Sequence, residues 1–146
     1  MPAPSKPRVF LDSNVVFSGL YSSQGAPGKI LEHFVAGRLM AVVSQQVLDE
    51  VVRTMRDKLP GALPTLRKLL VSVPPQVVKD PSPDEVAGWL GILEPGDASI
   101  LVAAVGAQPD YFVTGDKHIL DNAKVAEKSR LKIVTPAQLL EALGAG

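Results

Sequence analysis

The sequence predicts an α/β fold: a single three-layer α/β/α domain, residues 1–146, around a central parallel sheet of four to five strands. Two observations carry that prediction. Short apolar runs alternate with longer segments of helical periodicity along the whole chain, the order that parallel strands with helical crossovers require. The runs themselves are apolar without alternation, as expected of strands buried on both faces. The length of 146 residues suits one domain, and an apolar fraction of 46% argues against disorder. No repeat, low-complexity stretch or long linker divides the chain, and residues 1–7 read as a flexible extension.

Residues 8–11 (Arg-Val-Phe-Leu) read as the first strand, ending at Asp12-Ser13-Asn14. A helix follows over 15–20. Residues 21–28 are a loop by composition, and Pro27 opens a helix with Ile30, Leu31, Phe34 and Val35 on its core face. Residues 39–43 are the second strand. Ser44 caps a helix from 45 to about 58, with Val47, Leu48, Val51, Val52 and Met55 as its buried stripe. Pro60 and Pro64 bracket a break before a helix near 65–72. Val77-Val78, set among prolines, suits a short edge strand. A helix over 84–93 carries Val86, Trp89, Leu90 and Leu93. After Pro95-Gly96 a strongly apolar helix runs from about 97 to 106. Residues 111–114 and 131–134 are the third and fourth core strands, with one helix between them. Thr135-Pro136 starts the last helix as cap and first-turn proline.

Composition removes several function classes. With no cysteine there is no disulfide framework, thiolate metal site or cysteine nucleophile. Two histidines far apart in sequence, His33 and His118, do not suggest a histidine-rich metal cage. The longest uncharged stretch, 13–28, is rich in Ser, Gly, Asn and Gln, so no membrane span is expected. The N-terminus lacks the apolar core of a signal peptide, which points to a cytoplasmic protein.

A formal net charge of zero argues against a nucleic-acid partner until the charges are located. Residues 53–79 hold six basic groups against Asp57 alone, whereas residues 80–116 hold seven acids and no Lys or Arg. Residues 117–132 return to five basic groups against two acids. An acidic block flanked by basic blocks is the pattern to explain.

Open parallel sheets bind ligands beyond the carboxyl ends of their strands, near a switch in strand order. Asp12 directly follows the first strand and Asp116 lies two residues past the third. Asp97 opens the helix before that third strand, and Glu50 sits two turns into the helix after the second. Each acid alone has a plain explanation: a helix cap for Asp12 and Asp97, a turn for Asp116, a solvated helix position near Arg53 for Glu50. Together at one sheet edge they would repel one another and require a cation or a retained proton. Oxygen ligands without His or Cys suit Mg²⁺ or Mn²⁺, one or two ions, able to activate water against a phosphodiester. The basic flanks, with Arg53, Arg56, Arg67, Lys68 and Lys117, would then hold a phosphate backbone.

Four ordered segments carry a family resemblance: Phe-Leu-Asp12-Ser-Asn14-Val-Val-Phe-Ser-Gly, Ser44-Gln-Gln-Val-Leu-Asp-Glu50-Val, Gly96-Asp97-Ala-Ser-Ile-Leu and Pro-Asp-Tyr-Phe-Val-Thr114-Gly-Asp116. Over about residues 8–143 the chain resembles PIN domains, specifically toxin components of toxin–antitoxin pairs related to the VapC ribonucleases. The resemblance implies Mg²⁺- or Mn²⁺-dependent cleavage of RNA, with Asp12, Glu50, Asp97 and Asp116 as catalytic, metal-binding acids. It also implies an antitoxin protein as partner and a homodimer. Asn14 and Thr114 match polar positions that hold a carboxylate or water. Relatives carry several acids before the third-acid helix, so Glu94 shares or replaces the role of Asp97.

Competing readings fit less well. A haloacid-dehalogenase-like phosphatase wants a second Asp where Asn14 stands, a receiver domain wants a different acid plan, and a dinucleotide fold wants a glycine-rich first turn. A PIN fold that binds RNA or protein without cutting it is the alternative of a different class.

Overall fold

A computed structural model of the chain describes residues 6–144, so residues 1–5 of the expected extension lie outside the described residues. In chain order the elements are β1 (Arg8–Leu11), α1 (Ser13–Tyr21), α2 (Ala26–Val35), β2 (Met40–Ser44), α3 (Gln45–Lys58), α4 (Leu63–Ser72), β3 (Gln76–Val78), α5 (Pro83–Ala87), α6 (Pro95–Ala107), β4 (Tyr111–Val113), α7 (Lys117–Leu120), α8 (Ala123–Ser129), β5 (Ile133–Val134) and α9 (Pro136–Ala142). A 3₁₀ turn at Pro60–Ala62 joins α3 to α4.

All five strands are parallel, in the order β3-β2-β1-β4-β5. Central β1 pairs β2 on one side and β4 on the other. Successive strand residues point to opposite faces, yet Val9, Phe10 and Leu11 are all buried, so both faces of the sheet are covered. The expected α/β/α architecture is what forms. Phe10 and Phe112 sit in register on neighbouring strands and stack with ring centroids 5.5 Å apart. Helix α6 is apolar nearly all round and buries Ala98, Ile100, Leu101, Ala103 and Ala104.

The chain leaves β1 towards β2 and β3, then returns across the sheet to place β4 on the other flank of β1. That reversal makes the carboxyl end of β1 a topological switch point. Leu11 pairs with Val113, so the residues just beyond them, Asp12 and Thr114, emerge side by side.

Local chemistry explains the element starts. Ser44 accepts a hydrogen bond from the Val47 N–H, and Thr135 forms a capping box with Gln138 above a first-turn proline. The expected strand at Val77-Val78 is β3, on the sheet edge beside β2.

Several boundaries differ from expectation. The helix expected over 84–93 stops at Ala87 and continues as turns; Gly88 and Gly91 weaken a helix there, and Leu90 is 52% exposed while Val86, Trp89 and Leu93 remain buried. Val35 is exposed because it lies roughly a quarter turn off the stripe set by Ile30, Leu31 and Phe34. The segment between the last two strands holds two short helices, α7 and α8, where one was expected. Strand β5 shortens to Ile133–Val134, matching a β4 of three residues.

Candidate active site

Asp12 stands at the switch point, 5% exposed, and its carboxylate is held on every side. Oδ1 accepts from the Ser13 N–H at 2.8 Å, the N-cap bond of α1. Oδ2 accepts from the Thr114 hydroxyl at 2.8 Å and from Asn14 Nδ2 at 3.2 Å. The Asp12 backbone N–H donates to the Val113 carbonyl, extending the β1–β4 pairing to the acid itself. Capping therefore accounts for one oxygen, and the strand end of β4 holds the other.

Asn14 and Thr114 form the bridge between the two strand ends. Asn14 Nδ2 also reaches Thr114 Oγ1 at 3.3 Å, and Asn14 Oδ1 accepts from the Gly115 N–H at 2.9 Å. The Asp116 N–H donates to Thr114 Oγ1 at 3.0 Å. Asp116 itself caps α7, accepting from the His118 N–H at 2.8 Å.

Glu50 reaches the same rim from α3. Its Oε1 accepts from the Ser13 hydroxyl at 2.8 Å and its Oε2 from Gln46 Nε2 at 3.3 Å. The Gln46 amide also donates to the Gly96 carbonyl at 3.2 Å, tying α3 to the first turn of α6, where Asp97 lies. Asp97 is not the helix cap; Glu94 takes that position without a side-chain capping bond. Ser13 and Gln46 were not singled out by sequence. The four-residue spacing of Gln46 and Glu50 on one helix was the available signal.

The acids interact as one charged cluster. Burial pushes the Asp12 carboxyl up to about 6, and the charges of Glu50 and Asp97 push it the same way against the hydrogen bonds from Thr114 and Ser13. Partial burial raises Asp97 as well, followed by the charges of Asp116, Glu50 and Glu94, while His118 opposes them. Glu50 and Asp97 thus act on Asp12, and Asp116, Glu50 and Glu94 act on Asp97, across four separate chain segments.

An all-oxygen donor set carrying mutually repelling charge fits a hard divalent cation. Among the described residues, no three His, Asp or Glu side chains already share a metal-binding arrangement. Asp12, Glu50 and Asp116 each have oxygens engaged by protein donors instead.

The basic residues divide. Arg53 is exposed one turn beyond Glu50, while Arg56 and Arg67 line a crevice of about 270 Å³ between α3 and α4. Lys68 is exposed on α4. Lys117 lines a groove of about 760 Å³ beside α7 and α8. Asp110, also in the last acidic segment, lies at the opposite end of the sheet, where Oδ2 accepts from the Arg8 N–H at 2.7 Å. Among the described residues no helix is long and apolar enough to cross a membrane.

Comparison with known proteins agrees with this architecture. The PAE2754 protein from Pyrobaculum aerophilum superposes with a TM-score of 0.65 at 19% identity, covering 99% of this chain and 100% of that one. VapBC2 from Rickettsia felis, crystallised bound to a DNA fragment from their promoter, matches with a TM-score of 0.63 at 13% identity, over 88% of this chain and 98% of that one. At such identities the likeness is one of fold. No curated protein matches the chain. The PIN domain family pattern matches residues 8–118, a span that contains every acid of the cluster. With that match over most of its length, the chain belongs to the PIN domain family.

Proposed function

We propose that this protein is a metal-dependent endoribonuclease, the toxin of a toxin–antitoxin pair, that hydrolyses RNA phosphodiester bonds. The observation that carries the reading is the buried Asp12 carboxylate at the strand-order switch, its pKa raised by burial and by Glu50 and Asp97. Such a cluster is unfavourable in isolation and becomes favourable when a cation joins it. PIN domains are generally nucleases that use divalent ions, which supports the same conclusion. The Rickettsia felis VapBC2 match supports an antitoxin partner; that the toxin is a cytoplasmic homodimer is part of the same proposal.

Asp12, Glu50, Asp97 and Asp116 would hold Mg²⁺ or Mn²⁺, one or two ions, with Glu94 close enough in charge to assist Asp97. A bound ion of this kind supplies an activated water and neutralises charge on the phosphate. The chain's own part is positioning. Thr114, Asn14 and the Ser13 N–H fix the Asp12 carboxylate, and Ser13 with Gln46 fixes Glu50. Asp12, raised to about 6, is ionised at neutral pH, where a bound cation would relieve the repulsion it meets from Glu50 and Asp97.

The test is cleavage of single-stranded RNA with Mg²⁺, Mn²⁺ or EDTA, by wild type, Asp12→Asn and Asp97→Asn. Cleavage that needs the ion and is lost in both folded variants supports the enzyme. Equal cleavage by all three proteins sinks the four-acid mechanism. A PIN module that binds without cutting has one observation on its side, the missing ready-made three-ligand arrangement. Mn²⁺ titration by calorimetry separates the two, since a silent module shows no binding that Asp12→Asn abolishes.

A further inference from the structure

The groove beside α7 and α8 connects the basic charge of the chain to its acids. One wall, Gly91 and Ile92, runs directly into the segment that bears Glu94 and Asp97. The other wall begins with Lys117 and His118, immediately after Asp116, whose carboxylate accepts from the His118 N–H at 2.8 Å. Lys124 lines the same groove further along. Its backbone N–H donates to Asn122 Oδ1 at 3.1 Å, which fixes the start of α8 there. Lys117, His118 and Lys124 are all exposed in this groove of about 760 Å³, and Asp121 is the one acid among its lining residues.

The alternative basic surface is built differently. Arg56 and Arg67 line a crevice of about 270 Å³ whose other lining residues, Leu63, Leu66 and Leu70 among them, are apolar. Arg56 is also about 9 Å further along the α3 axis than Glu50, carrying its charge away from the acid rim.

We infer that the α7–α8 groove, through Lys117 and Lys124, is the track for the phosphodiester backbone of the RNA as it leaves the acidic site. This rests on the ribonuclease reading above and assigns its substrate path. Phosphate contacts of this kind position a strand without reading its sequence.

The experiment measures binding of an end-labelled single-stranded RNA to the full-length protein by fluorescence anisotropy across a salt series. EDTA stops cleavage, and a gel verifies that the RNA is intact. Lys117→Ala/Lys124→Ala is compared with Arg56→Ala/Arg67→Ala, and thermal melting checks that both variants fold. The groove pair is expected to weaken binding and to flatten the slope of log affinity against log salt by about 0.7 per lost contact. The α3–α4 pair is expected to leave the slope in place. Lys124→Glu, a charge reversal, should weaken binding further than Lys124→Ala. Equal losses from both pairs, or a loss from the α3–α4 pair alone, overturn the groove while the ribonuclease reading stands. No RNA binding by wild type at low salt overturns both.

Discussion

Asp12 holds a carboxylate where burial disfavours its charge, and this has a measurable signature. Its pKa is raised from 3.8 to about 6, so the folded chain binds this proton more tightly than the unfolded chain. Stability is therefore lost as pH rises from about 4 to about 6, by up to about 3 kcal/mol, and the penalty is complete above that window. Asp12→Asn removes the penalty while keeping a good cap residue. In metal-free buffer, melting of the variant relative to wild type should shift upward between about pH 4 and about pH 7.5. A difference independent of pH would show that Asp12 is not held as described. Gln46 makes the second residue-scale prediction. Gln46→Met keeps the length of the side chain but frees Glu50 Oε2 and the Gly96 carbonyl. Mn²⁺ affinity and RNA cleavage should fall about 10-fold or more, the usual cost of removing a partner that orients a metal ligand, with melting little changed. Asp12, Asp97 and Asp116 stood out in sequence because each follows a strand or opens a helix; Glu50, two turns into α3, stood out only as one of a set of four acids. Ser13, and the contact of Gln46 with the Gly96 carbonyl, did not, because those hydrogen bonds join segments far apart in the chain.

At the scale of elements, the loop leaving α1 passes so close to the first turn of α2 that glycine is required at position 28. A Cβ on Gly28 would lie 2.5 Å from the Ser22 carbonyl oxygen and 2.6 Å from Ser23 Cα, both backbone atoms that cannot swing aside. Gly28→Ala should destabilise by about 1–3 kcal/mol in urea unfolding, the usual cost of overpacking. Gly61→Ala, with nothing within 4 Å of its added Cβ, provides the control. Capping was readable directly: Ser44 and Thr135 start their helices as the sequence pattern requires. Ser44→Ala should cost about 1 kcal/mol. What periodicity missed were short elements. Trp89 and Leu93 keep a helical spacing and are buried, yet they pack from turns, because burial selects the side-chain direction without fixing the backbone between. Helices α7 and α8 escaped resolution because seven residues or fewer hold too little periodic signal.

Over the whole molecule the formal charge is zero, a cancellation between blocks that folding moves to different places. The acidic block contributes Glu94, Asp97 and Asp116 to the cluster, and β1 and α3 bring Asp12 and Glu50 to meet them. The same block also contains Asp110, which folding sends to the far end of the sheet to bind the Arg8 N–H. Sequence order already separates these acids, because Asp110 precedes the strand that becomes β4 and Asp116 follows it, and the parallel sheet places them at opposite ends. The central claim is that the meeting of four acids makes a site for divalent ions that cuts RNA. The most direct measurement is single-stranded RNA cleavage by the full chain, titrated with Mn²⁺ or Mg²⁺ in parallel for wild type and Asp12→Asn. The account predicts ion-dependent cleavage by wild type, abolished by EDTA and absent from the folded variant. Cleavage that persists in EDTA, or that Asp12→Asn leaves intact, would contradict it.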